Sequence, residues 1–427
     1  MKYRYIYGSI IGKYISYAVL FVSMVIMARL YSPETLGLYA AISSVLGFMQ
    51  LIAEGGIAPV IINIHNVSKK IISELFAITT IASIILSAIH LLLYDQIIYH
   101  LNQNQLSSIK WQTTILIIIT TLNVFPNCIL ILNKKYKEIA YYIAIGEFIS
   151  LVYVILFNNA NLESVIQKSI IGQLTTLILN LLSIKSEIPN PKDFNLNFRE
   201  LRSIRIGLLY QLSFNIINYF SRNSDNLMIG KYIGAEYLGL YDKAYKIMKY
   251  PLLLVTFSLT QALQPTIREI KENKKRVDFY EDILIKITIL SCTLSLIIYT
   301  FSDQLIKFAF GEKWLRSSEF LRILILSIPI QSILSTTGSI YHSLNNHKQL
   351  FINGCITTSL NILAMIIGLI SDGIHGICWS LVISFAANLV GTVLHLKKLG
   401  FNIINIHFLK NIFAILAIFY LMIYCSR

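Results

Sequence analysis

Long apolar runs alternate with short polar breaks along nearly the whole chain. A helix needs about 20 apolar residues to cross ~30 Å of hydrocarbon, and runs of that size lie near 10–30, 38–60, 71–94, 111–132, 139–158 and 164–184. The polar stretch KSEIPNPKDFNLNFRELRSIR interrupts them at 185–205. Six more follow near 206–230, 240–262, 281–301, 321–343, 350–370 and 374–396, and a last one near 408–425. The pattern predicts an all-α polytopic membrane protein with a six-helix lobe at 1–184, a cytoplasmic linker at 185–205, a second six-helix lobe at 206–396, and an extra carboxyl-terminal helix within 397–427.

The two sets of spans share a motif. MARLYSPETLGLYA at 27–40 and IGKYIGAEYLGLYDKAYK at 229–246 carry the same Leu-Gly-Leu-Tyr core 202 positions apart, with Arg29 matching Lys231 and Glu34 matching Glu236. Each copy crosses the end of the first span of its set and opens the second. Six is an even number, so both sets start from the same side, and the repeat is parallel, about a pseudo-twofold axis along the membrane normal.

Composition supports the membrane and charge gives the orientation. At 55% hydrophobic and 14% charged residues over 427 positions, the chain has too little polar residue to cover a soluble globule. The net charge of +14 gathers in NVSKK, NKKYKE, the 185–205 linker, REIKENKKR, NNHK and KKLG. With the amino terminus in the cytoplasm, about 20 Lys and Arg fall inside against about 6 outside, the bias that the positive-inside rule expects. The basic charge therefore orients the protein and calls for no nucleic-acid partner. The first apolar run is too long for a cleaved signal peptide and reads as a retained span. Cys128, Cys292, Cys355, Cys378 and Cys425 stand singly in or beside apolar runs, so neither a disulfide framework nor a metal site is indicated, and no cofactor motif is present.

Candidate chemistry concentrates in the seventh span. Gln211, Asn215, Asn218, Arg222 and Asp225 step by four, three, four and three, which puts all five on one helical face. In lipid such a face is costly, so it turns to protein or water. Shifting back by 202 gives Ser9, Lys13, Ser16, Leu20 and Ser23, a similar stripe in the first span. The eighth span adds Asp242, Lys246, Lys249, Thr256 and Thr260, with Lys243 beside them, while Glu54 lies 202 before Thr256. Lys243, Lys246 and Lys249 either snorkel to headgroups or line a hydrated cationic cavity that accepts an anion. Their counterparts in the first set are Ala41, Ser44 and Gly47, so an anion site here is weighted toward the second set.

Four segments carry a family resemblance: ARLYSPETLGLYA at 28–40, PNCILILNKKYKEIAYYIAIGEFIS at 126–150, RNSDNLMIGKYIGAEYLGLYDKAYKIMKYP at 222–251, and FGEKWLRSSEFLRIL at 310–324. In that order they resemble the polysaccharide exporters of the multidrug/oligosaccharidyl-lipid/polysaccharide superfamily, the O-antigen flippases of the Wzx type. The resemblance implies a fold like that of multidrug-and-toxin-extrusion transporters, two six-helix lobes about a central cavity. It also implies a cargo, an undecaprenyl-diphosphate-linked oligosaccharide turned from the cytoplasmic to the periplasmic leaflet of the inner membrane before a polymerase or ligase uses it. Such exporters often show fourteen helices where thirteen are counted here, which leaves the side of Arg427 open.

For such a cargo, Arg222, Lys246, Lys249 and Lys13 are the candidates to meet the diphosphate, with Lys243 beside them; Gln211, Asn215, Asn218, Ser16 and Ser23 are candidates to bond sugar hydroxyls. No G-x-x-x-x-G-K-[ST] loop is present for ATP hydrolysis. The membrane potential, or a proton or sodium ion moving through Asp225, Glu54 or Glu147, are the candidate drives; Glu147 otherwise reads as a carboxyl satisfied by neighbouring helices. Two rivals stand beside this reading. A drug or cation antiporter of the same fold calls for a cavity rich in carboxylates. A membrane polymerase calls for a large external loop, whereas the 302–320 loop holds only Asp303, Glu312 and Glu319 as acids. Trp314 in that loop reads as an interface anchor, and Pro126 and Pro329 as kinks or hinges.

Overall fold

The computed structural model describes residues 2–57, 68–157, 159–188, 205–270, 272–344, 346–398 and 419–420. Among them the chain is helical with short turns. The helices are α1 (Lys2–Leu30), α2 (Pro33–Glu54), α3 (Lys69–Leu101), α4 (Lys110–Leu122), α5 (Val124–Leu132), α6 (Tyr136–Phe157), α7 (Leu162–Ser183), α8 (Arg205–Tyr232), α9 (Ala235–Glu269), α10 (Asn273–Thr300), α11 (Ser302–Phe310), α12 (Ser317–Ile325), α13 (Ile328–Ser343) and α14 (His347–Lys398). Most of the 185–205 linker and of the 397–427 segment lies outside the described residues.

Among the described residues, seven helices are long and apolar enough to cross a membrane, or eight if α12 and α13, bent by 55° at their junction, form one span. Thirteen spans are expected from the sequence, and the run at 408–425 lies almost wholly outside the described residues. Within the described residues, the apolar stretch of α1 is Tyr14–Leu30. Asn, Gln, Arg and Asp make α8 too polar to qualify by composition, as befits a helix that does not face lipid all round. The spans expected at 350–370 and 374–396 are merged in α14, which is 52 residues long. That helix is broken at Asp372 and Gly373, where Gly373 takes φ 54°, a conformation that glycine adopts without strain. The chain folds back there: a Cβ on Gly368 would sit 2.3 Å from the carbonyl oxygen of Gly376, an approach impossible along a straight helix, where eight residues rise ~12 Å.

Caps and breaks set the other boundaries. Ser32 accepts the Thr35 N–H at 3.1 Å and Pro33 opens α2, while Gly55 closes it in the left-handed region at φ 53°. Ser32→Ala is expected to destabilise the protein by about 1 kcal/mol, read as a lowered midpoint of thermal unfolding. The fourth span breaks at Asn123, three residues before Pro126, whose missing N–H leaves the Leu122 carbonyl without its helical partner.

Contacts divide the chain into two compact units: Met1–Tyr219 with Asn226–Gly239, and Phe220–Asp225 with Leu240–Arg427. In the first, α6 packs against α1 and α7, and α4 packs against α3 and α7. One core joins Leu38, Ile42, Tyr94, Ile98, Leu106 and Ile166; another joins Leu75, Phe125, Ile129 and Ile184. In the second, α13 packs against α10 and α14, and α12 against α14, with Tyr280 and Thr336 sharing a buried hydrogen bond of 2.6 Å.

The duplicated motif meets itself inside the first unit. A Cβ on Gly37 would fall 1.7 Å from the Ala235 carbonyl oxygen, and one on Gly239 would fall 1.9 Å from the Pro33 carbonyl oxygen. Positions 33 and 235, like 37 and 239, are 202 apart, so each glycine faces the repeat counterpart of the carbonyl that the other faces. The first turns of α2 and α9 touch backbone to backbone.

Trp314 departs from its expected role as an interface anchor. It is fully buried, with the Lys243 ammonium 5.9 Å from its ring centroid. Phe301, Phe308 and Leu315 are the exposed apolar residues of that region.

Candidate functional site

Residues 240–249 of α9 and the Phe220–Asp225 stretch of α8 bring buried acids and cations together in the second unit. Asp225 and Asp242 are both buried, and buried carboxylates require donors. Asp225 accepts from the Tyr241 hydroxyl at 2.7 Å. Asp242 accepts from Lys243 Nζ at 3.1 Å and Lys246 Nζ at 2.8 Å on one oxygen, Oδ2. Tyr245 stacks on Tyr241 with ring centroids 5.8 Å apart. This scaffold of acids and aromatics holds the lysines in place.

The cations then differ in what they reach. Lys243 is 7% exposed, enclosed between Asp242 and the Trp314 ring. Lys246 bonds Asp242 yet is 44% exposed, and Lys249 and Arg222 are exposed. Lys249 interacts electrostatically with Arg222, Lys246, Asp225 and Asp242. Counting Lys243 as well, four cations stand against two carboxylates, a net charge of +2. The structure thus gathers Arg222, Lys246 and Lys249 into one accessible basic face and removes Lys243 from it.

The polar stripe divides along α8. Gln211 donates to Asn215 Oδ1 at 3.0 Å. Asn215 and Asn218 are half-buried, and Tyr219 donates to the Ser44 carbonyl. Among the described counterparts on α1, the polar residues are turned to a neighbouring helix. Ser16 is buried and donates to the Ala140 carbonyl of α6 at 2.8 Å, and Ser23 is buried and donates to Glu147 of the same helix. Serine hydroxyls in a dry helix contact bond the neighbouring helix when water is absent. The side chains of Lys13 and Thr260 lie outside the described residues. Glu54 is exposed at the end of α2, accepting from Gln50 at 3.1 Å.

Glu147 has a partner that the spacing of polar residues does not reveal. Lys168 of α7 donates to Glu147 Oε1, the oxygen that Ser23 also reaches, and the lysine and glutamate side chains are 11% and 18% exposed. Lys168 belongs to no stripe and has no repeat partner; its signal is a charge inside an apolar span. Glu74 on α3, almost fully buried, is a second acid of that kind. Among the described residues, no three His, Cys, Asp or Glu side chains gather as metal ligands.

A family model described as polysaccharide biosynthesis protein matches residues 26–319. The chain is similar to the teichuronic acid biosynthesis protein TuaB of Bacillus subtilis, 30% identical over 31% of this chain and 27% of that protein. It is also similar to a probable low-salt glycan biosynthesis flippase of Haloferax volcanii, 24% identical over 58% and 51%. The matched segments thus span about a quarter and about half of those relatives. Among solved structures, the lipid II flippase MurJ in an inward closed conformation superposes with a TM-score of 0.79 at 16% identity, covering 98% of this chain and 91% of that one. An inward-facing multidrug resistance MATE family transporter of the MOP superfamily gives 0.68 at 15% identity, covering 90% and 94%. At these identities the structures show the fold, that of the MurJ and MATE transporters, and the helices agree with a multi-pass membrane protein. The family match takes in the duplicated corner, the Glu147–Lys168 pair and the basic face of α8 and α9, and on it the chain belongs to the polysaccharide biosynthesis protein family.

Proposed function

We propose that this protein is a flippase that carries an undecaprenyl-diphosphate-linked repeat unit of O-antigen or another surface polysaccharide from the cytoplasmic to the periplasmic leaflet of the inner membrane, by alternating access. One observation carries the reading: the exposed Arg222, Lys246 and Lys249 gathered about the buried Asp225 and Asp242. A prenyl tail stays in lipid during flipping, but the diphosphate and sugar hydroxyls would cost several to tens of kcal/mol in hydrocarbon. A basic face removes that cost for the diphosphate, Arg222 by paired hydrogen bonds and the lysines as mobile point charges. An inside-negative potential adds ~2.3 kcal/mol per charge per 100 mV toward outward movement of the anionic head. A polysaccharide polymerase or ligase would consume the product on the far side.

The names of the relatives support a glycan cargo: teichuronic acid biosynthesis for one and glycan biosynthesis flippase for the other. The multidrug transporter shares the fold, but a cationic drug would meet net positive charge at this face. Deletion of the gene is expected to remove surface polysaccharide while lipid-linked repeat units accumulate on the cytoplasmic side. Unchanged polysaccharide with new drug sensitivity would overturn the reading in favour of an antiporter.

A further inference from the structure

Asp242 is buried, and both lysines that it holds reach one oxygen, Oδ2, Lys243 at 3.1 Å and Lys246 at 2.8 Å. The two cations differ in their surroundings. Lys243 is enclosed, with its ammonium against the buried Trp314 ring. Lys246 stands about one helical turn further along α9, with 44% of its side chain exposed in the group that includes Arg222 and Lys249. A buried carboxylate that loses its only cation is costly, and Lys243 prevents that here, because it remains beside Asp242 when Lys246 turns away. The contact between Asp242 and Lys246 is therefore one that can be broken and remade. A lysine suits this exchange, since its ammonium is a point charge on a flexible stem and needs no fixed fork of acceptors.

We propose that Asp242 is a built-in competitor for the cargo anion, which holds Lys246 while the basic face is empty, yields it to the diphosphate, and takes it back as the diphosphate leaves. Asp242 acts through Lys246 and is a positioning residue. Its carboxylate lowers the affinity of the face for an anion. That loss serves transport, because a site for a passing ion must bind firmly enough to load and loosely enough to unload. The inference rests on the flippase reading and adds a release step to it.

The test compares binding and dissociation of farnesyl diphosphate for the purified full-length protein in liposomes. The informative variant is Asp242→Asn/Lys243→Met. It removes one carboxylate and one buried cation together, so that Arg222, Lys246 and Lys249 against Asp225 keep the wild-type net charge of +2, and neither member of the buried pair is left unpaired. General attraction is thus held constant while Lys246 is released from its carboxylate. The variant is expected to bind the probe about three- to tenfold more tightly than wild type, with the gain in slower dissociation. Adding Lys246→Gln to wild type and to the variant should leave the two with equal affinity. Asp242→Asn, with and without Lys246→Gln, repeats the comparison should the double variant fold poorly. Equal affinity of wild type and Asp242→Asn/Lys243→Met, or a gain that persists in the Lys246→Gln background, overturns the competitor role alone. Failure of wild type and variants alike to bind the probe overturns the anion-binding reading of this face, and the competitor role with it.

Discussion

Gly239→Ala is expected to cost about 3 kcal/mol of stability or more, the upper end of the usual penalty for overpacking. The new methyl group would lie 1.9 Å from the Pro33 carbonyl oxygen. That atom belongs to the backbone of the first turn of α2 and cannot rotate aside as a side chain would. A Cβ on the facing Gly37 would lie 1.7 Å from the Ala235 carbonyl oxygen, so the two helices cannot slide along each other to make room without closing the second contact. Gly37→Ala is expected to act in the same direction. The control is Gly391→Ala in α14, where a Cβ meets nothing within 4 Å; alanine there favours the helix by up to about 1 kcal/mol. Thermal unfolding of the purified proteins in detergent reads the difference. A Gly239→Ala protein as stable as wild type would mean that the α2–α9 contact is looser than these distances.

The Leu-Gly-Leu-Tyr repeat is visible in the sequence, and so is its place where one span hands over to the next. That its two glycines face each other's repeat partners is not visible, because a spacing of 202 reports duplication and says nothing of which copy touches which. Spans were legible wherever a run was apolar on all sides. Breaks inside a run were legible at Asp372 and Gly373, which fall between two expected spans, and near Pro126 and Pro329, read as kinks; hydropathy alone does not show the last two, since one turn of irregular backbone leaves it unchanged. The residues of the site divide in the same way. Regular spacing pointed to Arg222, Asp225, Lys246 and Lys249 because a helical period concentrates them on one face. It could not point to Lys168, a solitary charge whose meaning comes from Glu147 on the preceding helix. Nor could it separate Lys243 from its neighbours: the burial of that lysine depends on Trp314, more than 70 residues away in the chain.

Arg222→Ala and Lys246→Ala are each expected to abolish rescue of surface polysaccharide in a deletion strain, at protein levels matching wild type. A hydrogen bond to a charged group contributes about 1.5–3 kcal/mol, so each loss weakens capture of a diphosphate by roughly 10- to 100-fold. Lys246 sits at a balance point. Its ammonium is held by Asp242 at 2.8 Å while its side chain is 44% exposed, so cargo competes with Asp242 for it, and Lys243 still serves Asp242 when Lys246 is gone. Loss of Lys246 should therefore spare the fold. Arg222→Lys is expected to recover only part of the activity, because an ammonium keeps the charge but not the paired donors. Lys243→Ala should fail differently: it removes a buried cation from between Asp242 and Trp314, so its defect should appear as reduced protein level before any loss of transport per molecule. Full rescue by both Arg222→Ala and Lys246→Ala would reduce these residues to headgroup contacts and move the anion site elsewhere.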